Sequence, residues 1–172
     1  AAARRYEEAA SLRDLTIAVR ETIRPERRFT GPLRDERVKP EASMKALKDA
    51  IGLKHLPNHI ECFDISHVSG SYVVASMVCF RKGVPSKKDY RRYRIKEKIA
   101  NDDFRAMQEV VARRYLRARN ENTALPDLVI VDGGAGQVSA ALKAFIVHEL
   151  EVPHLIGLAK RYETIVFSDG RA

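Results

Sequence analysis

The chain has 172 residues, 45% hydrophobic and 31% charged, with a net charge of +8 and a sequence pI near 9.7. This balance suits one well-buried soluble domain with an appendage and excludes a disordered polymer. No apolar run approaches the ~20 residues that span a bilayer and the start resembles no signal peptide, so the expected location is the cytosol, away from any membrane.

Residues 1–24 read as a helix, with Leu12, Leu15, Val19 and Ile23 at helical spacing. The chain opens on Ala-Ala-Ala-Arg without an initiator Met, as if cut. Residues 25–43 hold Pro25, Gly31, Pro32 and Pro40 among charges and read as a linker. A short helix over about 42–51 follows, stopped by Gly52, within a helix-and-connector segment 44–59. From residue 60 the period changes to that of strands. Ile60–Ser66 is one strand and Ser71–Phe80 a second, reached through a turn at 67–71. A further turn at 82–85 leads to a third over Lys88–Lys96. With Cys62 and Cys79 on the arms of this hairpin but not facing each other, neither a disulfide nor a reactive thiol is expected.

A helix is expected over about 102–118, with Phe104, Met107, Val111 and Tyr115 on its buried face. Leu128–Asp132 is a short continuous apolar run, as in a strand covered on both faces. A Gly-rich turn leads into a helix to about Leu150 with Val138, Leu142, Phe145 and Ile146 as its stripe. His154–Ala159 is a last strand and Glu163–Phe167 an extended piece. The order β-β-β-α-β-α-β makes residues 60–172 an α/β domain: a ribonuclease H-like, mixed five-stranded sheet with helices on both faces, truncated at its C-terminus and preceded by a helical N-terminal segment.

Two aspartates end strongly apolar strands, Asp64 and Asp132. A carboxylate at the tip of a buried strand is costly to desolvate unless it is paired or holds a cation. If the two strands are parallel neighbours, both acids lie at the carboxyl end, where open α/β sheets collect ligands. The pair would then suit Mg²⁺ or Mn²⁺, which prefer oxygen donors, and two such ions ~3.5–4 Å apart support phosphodiester hydrolysis. Taken singly, Asp64 reads as easily as a cap on the following turn and Asp132 as part of an Asp-Gly turn. Asp102 and Asp103 open the next helix; one is accounted for by the helix dipole, leaving Asp103 as an auxiliary acid.

The Gly-rich turn Gly133–Gly136 could instead cradle a phosphate at a helix N-terminus. Asp132 would repel a pyrophosphate there, and the Walker Lys-Ser/Thr is absent because Gln137 follows Gly136. Ser66 and His67, adjacent on a strand, point to opposite faces and cannot act as nucleophile and base. His55, His59 and Cys62 have a metal-like spacing without a fourth ligand.

The charge is unevenly spread. Residues 81–119 hold 14 Lys and Arg against 5 Asp and Glu, while the rest of the chain sums to −1. Such a block is either a solvated face or a footprint for a polyanion. Strand alternation places Arg92, Arg94 and Lys96 on one face, with Arg91 and Tyr90 beside them; Arg113, Arg114, Arg117 and Arg119 end the following helix. These residues, with Lys160, would grip a nucleic-acid backbone without reading sequence, Arg91, Arg92, Arg94, Lys96, Arg113, Arg114 and Lys160 being the candidates.

The stretches IECFDISH, YRRYRI followed by NDDFRAMQEVVARRY, PDLVIVDGGAGQVSAAL and IGLAKRYETIVF resemble the catalytic half of the UvrC family, the excinuclease subunits of bacterial nucleotide excision repair, over about residues 45–169. The resemblance implies a ribonuclease H-like endonuclease domain that incises damaged duplex DNA 5′ to a lesion, using divalent metal. It also implies catalytic roles for Asp64 and Asp132, a supporting role for Asp103, and a UvrB-like helicase subunit as partner. YEEAASLRD, residues 6–14, resembles the family's UvrB-binding segment, though nearer the nuclease domain than the family's order predicts. The family's catalytic histidine is expected beyond Ala172, since none of His55, His59, His67, His148 or His154 sits in its motif; residues 1–172 alone are therefore expected to turn over weakly or not at all. The family's helix-hairpin-helix repeats and N-terminal second nuclease are not in this stretch. The rival readings are a non-catalytic DNA- or protein-binding module with the same fold, and a nucleotide-binding domain built on the Gly-rich turn.

Overall fold

The computed structural model describes residues 39–68, 72–95, 102–159 and 164–169. The chain divides into units Ala1–Val38 and Lys39–Ala172, and the description concerns the second. The helix expected over 1–24, the linker through residue 38, residues 69–71 of the turn, Lys96 and Lys160 lie outside the described residues.

The elements in order are α1 (Pro40–Ile51), β1 (His59–Val68), β2 (Tyr72–Arg81), β3 (Val84–Pro85), β4 (Arg91–Arg94), α2 (Asp103–Asn120), β5 (Leu128–Asp132), α3 (Ala135–Val147), β6 (His154–Ala159) and β7 (Thr164–Phe167). They form one mixed sheet in the order β3-β2-β1-β5-β6-β7, with β4 pairing β2 beside β3. β1, β5 and β6 are parallel; β2 and β7 are antiparallel to their neighbours. The expected five strands become seven. Val84–Pro85 adds a two-residue pair to β2, and the extended piece at 164–167 finds the free edge of β6.

Strand alternation sorts the core into two layers. Phe63, Ala75, Met77, Val129, Val131 and Leu155 meet Met107, Val111, Tyr115, Ala141 and Phe145 of α2 and α3. Ile60, Leu128 and Ile156 face the other way, against Ile51, Leu47 and Leu53 at α1. Helices therefore cover both faces, as expected. α1 starts earlier than the linker reading allowed because Pro40 is tolerated in a first helical turn, where no amide donor is needed. It stops at Gly52, whose φ of 71° is the left-handed cap that glycine adopts without strain.

Two residues assigned to buried stripes are exposed: Phe104 at 55% and Ile146 at 63%. Ala106, Ala112, Ala140 and Ala144 of the same helices are buried in the core instead, while Phe104 lies against Gly136 at its rim. The third strand is shorter than expected because Lys87–Asp89 form a 3-10 turn.

A charged group sits inside the helix-facing core. Glu61 is 1% exposed, and its carboxylate accepts from Arg114 Nε at 3.1 Å, Arg114 Nη2 at 2.6 Å, Tyr115 Oη at 2.9 Å and His59 Nε2 at 3.1 Å. A buried carboxylate persists only when paired and saturated in this way. Burial pushes its pKa up, but the bonds from His59, Arg114 and Tyr115 outweigh that and hold it at about 2 against an ordinary 4.5. The bonds tie β1 to the C-terminal half of α2.

Arg114→Ala strands this carboxylate and lowers stability by about 3–5 kcal/mol in chemical denaturation. Because the folded-state pKa of Glu61 is depressed, its contribution is complete above pH 4.5 and is lost as the pH falls toward about 2. Glu61→Gln accordingly flattens the stability-against-pH curve across that window.

Candidate active site

The parallel pairing of β1 with β5 sets the geometry. Its register runs Ile60↔Leu128, Glu61↔Val129, Cys62↔Ile130 and Phe63↔Val131. One step further along both strands come Asp64 and Asp132, level with each other and in phase with Ile60, Cys62, Leu128 and Ile130. Asp132 ends β5, but Asp64 is not at the strand tip expected of it, because the antiparallel pairing with β2 extends β1 four residues further to Val68. They therefore point from the same face, the one opposite α2 and α3. The row continues sideways: Asp132 pairs with Leu158, Asp64 with Ser76, and Ser76 with Arg92. Both aspartates are half-buried, and Leu158 beside them is 46% exposed, so solvent reaches this part of the face.

Ser66, two residues on and on the same face, donates from Oγ to Asp64 Oδ2 at 2.8 Å. This bond fixes one carboxylate oxygen. The i, i+2 spacing on a strand is the signal that could have marked Ser66 as a partner of Asp64 rather than of His67.

α2 brings a third acid to the same end of the sheet. Asp102 is its N-cap, accepting from Arg105 N at 3.0 Å, so capping accounts for Asp102 and Asp103 is half-buried as the first helical residue. The next residue, Phe104, lies over α3: a Cβ built on Gly136 would stand 2.5 Å from Phe104 Cε1. The first turns of α2 and α3 thus meet just beyond the carboxyl end of β5, and Asp103 belongs to that end. Packing also explains the glycines. Gly157 of β6 lies against the turn, where an added Cβ would meet Gly133 O and Val138 Cγ2 at 2.5 Å each.

The donor set offered by Asp64 and Asp132, hard carboxylate oxygens on one partly open face, fits a divalent cation such as Mg²⁺ or Mn²⁺. Among the described residues, three donors whose ligand atoms all lie within 4.8 Å of one another are instead His59, Glu61 and Cys79. That cluster is unsuited to a cation. Arg114 already occupies both oxygens of Glu61, and burial raises the pKa of the Cys79 thiol although Arg81 opposes it. The spacing His55, His59 and Cys62 does not converge: His55 is exposed, His59 bonds Glu61, and Cys62 points to the opposite face from Glu61. Cys62 sits across from Val78 and Cys79 across from Glu61, so the two free thiols do not pair. Burial, with Cys79 and Glu61 nearby, pushes the Cys62 pKa up to about 12, which makes it unreactive.

The basic residues divide between two faces. Arg92 and Arg94 pair with Ser76 and Val74 and so share the carboxylate face, as the alternation implied. Arg91 and Tyr93 turn the other way. With Arg113, Arg114, Arg117 and Arg81 they line a cleft of about 260 Å³ between β4 and the C-terminal half of α2. Arg117 was among the arginines that the sequence placed at the end of the helix for backbone contact, whereas Arg81 was not singled out.

A family model described as the UvrC RNAse H endonuclease domain matches residues 48–171. Curated relatives called UvrABC system protein C include that of Methanococcus maripaludis, 50% identical over 125 residues, or 73% of this chain and 24% of its own length. Another, from Chlorobium chlorochromatii, is 48% identical over 132 residues, 77% of this chain and 21% of its own length. The chain thus spans less than a quarter of the length of these relatives. Among solved structures, Ciona intestinalis endonuclease V in complex with an inosine-containing DNA aligns with a TM-score of 0.42 at 16% identity, over 60% of this chain and 46% of that one. No helix among the described residues is long and apolar enough to cross a membrane.

Gly157→Ala forces its new methyl against a backbone carbonyl in the turn that follows Asp132, which cannot rotate away. Thermal denaturation should register a loss of about 1–3 kcal/mol, the usual cost of overpacking.

Proposed function

The chain belongs to the UvrC RNase H endonuclease domain family, and from that premise we propose that it hydrolyses a DNA phosphodiester 5′ to a lesion during nucleotide excision repair. The observation that carries the reading is the register of β1 against β5, which sets Asp64 and Asp132 level on one face. Asp64 and Asp132 would hold Mg²⁺ or Mn²⁺, which when bound supplies Lewis acidity and charge neutralisation at the phosphate.

The chain's own residues supply orientation. Ser66 holds Oδ2 of Asp64 and so fixes the orientation of the carboxylate that would hold the cation. Asp103, at the start of α2, adds a third carboxylate at the same end and is suited to orienting the attacking water. Arg92 lies two strands from Asp64 in the same row, about 10 Å away at ordinary strand spacing, on the side from which a bound backbone is held. Arg94 extends that grip along β4, and Lys96 and Lys160, which lie outside the described residues, are further candidates by sequence. Contacts of this kind go to phosphates and do not read sequence, which suits an enzyme that must act wherever damage falls. A UvrB-like helicase subunit is the partner that would deliver the damaged duplex, through the 6–14 segment.

Asp64→Ala and Asp132→Ala are each expected to abolish incision of a damaged duplex while leaving fold and DNA affinity nearly unchanged. Incision at the wild-type rate by either variant refutes the assignment. Calorimetric titration with Mn²⁺ provides a readout that needs no turnover: binding is present in the wild type and lost in Asp64→Ala. Mn²⁺ binding that survives this change favours a non-catalytic module.

A further inference from the structure

The cleft between β4 and α2 opens on the α2 side of the sheet, and of the residues that line it only Arg92 enters the incision scheme. It is lined by six arginines, Arg81, Arg91, Arg92, Arg113, Arg114 and Arg117, against three acids, Glu61, Asp89 and Glu121. Each acid is matched within the cleft: Arg114 with Glu61 at 2.6 Å, Arg117 with Glu121 at 2.7 Å and Arg81 with Asp89 at 3.5 Å. Three positive charges remain. Arg113 reaches Glu109 outside the cleft, but neither Arg91 nor Arg92 makes an ion pair with a described residue.

Several of these guanidiniums are held in place before any ligand arrives. Arg114 is fixed edge-on by Glu61, through Nε and Nη2, and its Nη1 bonds no described residue. Arg113 lies 5.6 Å over the ring of Tyr93 and donates to the carbonyl of Arg94 at 2.9 Å. Arg91 Nη1 is anchored on the carbonyls of Lys88 and Tyr90 at 2.8 Å each. Arginines ordered in this way give up little rotamer freedom on binding, and their planar forks match phosphate oxygens.

The cleft is also continuous with the carboxylate face. β4 pairs only with β2 among the described strands, and its side chains alternate around that edge: Arg94 on the face of Asp64, Arg91 and Tyr93 toward the cleft, and Arg92, in the row of Asp64, at the edge where it also lines the cleft. A polyanion crossing the row from Asp132 through Asp64 to Arg92 meets the cleft as soon as it passes the edge. We infer that this cleft is a second phosphate seat, gripping the nucleic-acid backbone beyond β4 at a phosphate other than the one cut. The identity of the polyanion rests on the nuclease reading; the seat itself rests on the arginines.

The test measures binding rather than cutting, with divalent ions left out, so its result is independent of whether Asp64→Ala abolishes incision. Affinity of the 172-residue chain for a 30-base-pair duplex is followed by fluorescence anisotropy across a salt series. The double variant Arg91→Glu, Arg117→Glu changes two exposed side chains, and its thermal midpoint confirms that it is folded. Expected is a Kd weaker by about tenfold or more, with a slope of log Kd against log salt reduced by about 1–2, the loss of one or two phosphate contacts. A Kd and slope equal to the wild type overturn the proposal. Unchanged DNA binding with lost affinity for a poly-glutamate peptide overturns it as well, and makes the cleft a docking surface for an acidic protein.

Discussion

The parallel pairing of β1 with β5 is the constraint from which the rest follows. Parallel strands cannot be joined by a tight turn; they need a crossover, here one that runs through β2, β4 and α2 before returning as β5. The return requires both faces of the sheet to be covered, which is why Leu128–Val131 is apolar on alternate faces and nearly all buried. The register of that pairing is fixed by burial. A one-residue slip of β5 would turn Val129 and Val131 out of the helix-facing core and turn Asp132 into it. The level position of Asp64 and Asp132 is thus enforced by the hydrophobic packing of their strand neighbours, Phe63, Val129 and Val131.

Glu61 has a related role at the other end of β1. Its carboxylate holds Arg114 and Tyr115, so α2 is pinned to β1 near the start of the strand, and the helix then points its N-terminus at the far end of the sheet. Phe104 seated over Gly136 pins that second point. Two attachments fix the helix axis, and this gives its ends distinct chemistry: Asp103 at the carboxylate end, arginines at the cleft. The helix dipole agrees with both, favouring acids at the first turn and bases at the last.

The charge layout then becomes intelligible. A protein with net charge +8 places its candidate cation-binding carboxylates on one sheet face and distributes arginines around the adjacent edge. On the proposed reading, the positive field would draw the polyanion, and the two carboxylates would reserve one spot for a divalent cation that the surrounding arginines would otherwise repel. Salt sensitivity of binding and metal dependence of cutting are therefore expected to come from separate groups of residues.

How much of this was legible in the chain depends on the range of the interaction. Short-range patterns sufficed for the ribonuclease H-like order of strands and helices, for the stop at Gly52, for Asp132 as a strand end, and for Arg92 and Arg94 sharing a face, because alternation and turn chemistry act between neighbours in sequence. Asp64, expected at a strand tip, lies inside β1, whose pairing with β2 carries it on to Val68. The same patterns misplaced Phe104 and Ile146, since apolar periodicity cannot tell which flank of a stripe the core covers. Glu61 read as one more strand residue; its partners are 53 and 54 positions away, and only folding brings them to it. His59, suspected as a ligand, turned out to be one of those partners. The cleft was equally hidden, because Arg81 and Arg117 belong to elements that meet only when α2 lies across β2 and β4. The sequence by itself determined which segments form strands and on which face of each strand a residue lies. Tertiary structure alone decided which faces and ends meet, because that choice is made by long-range packing of the buried sheet.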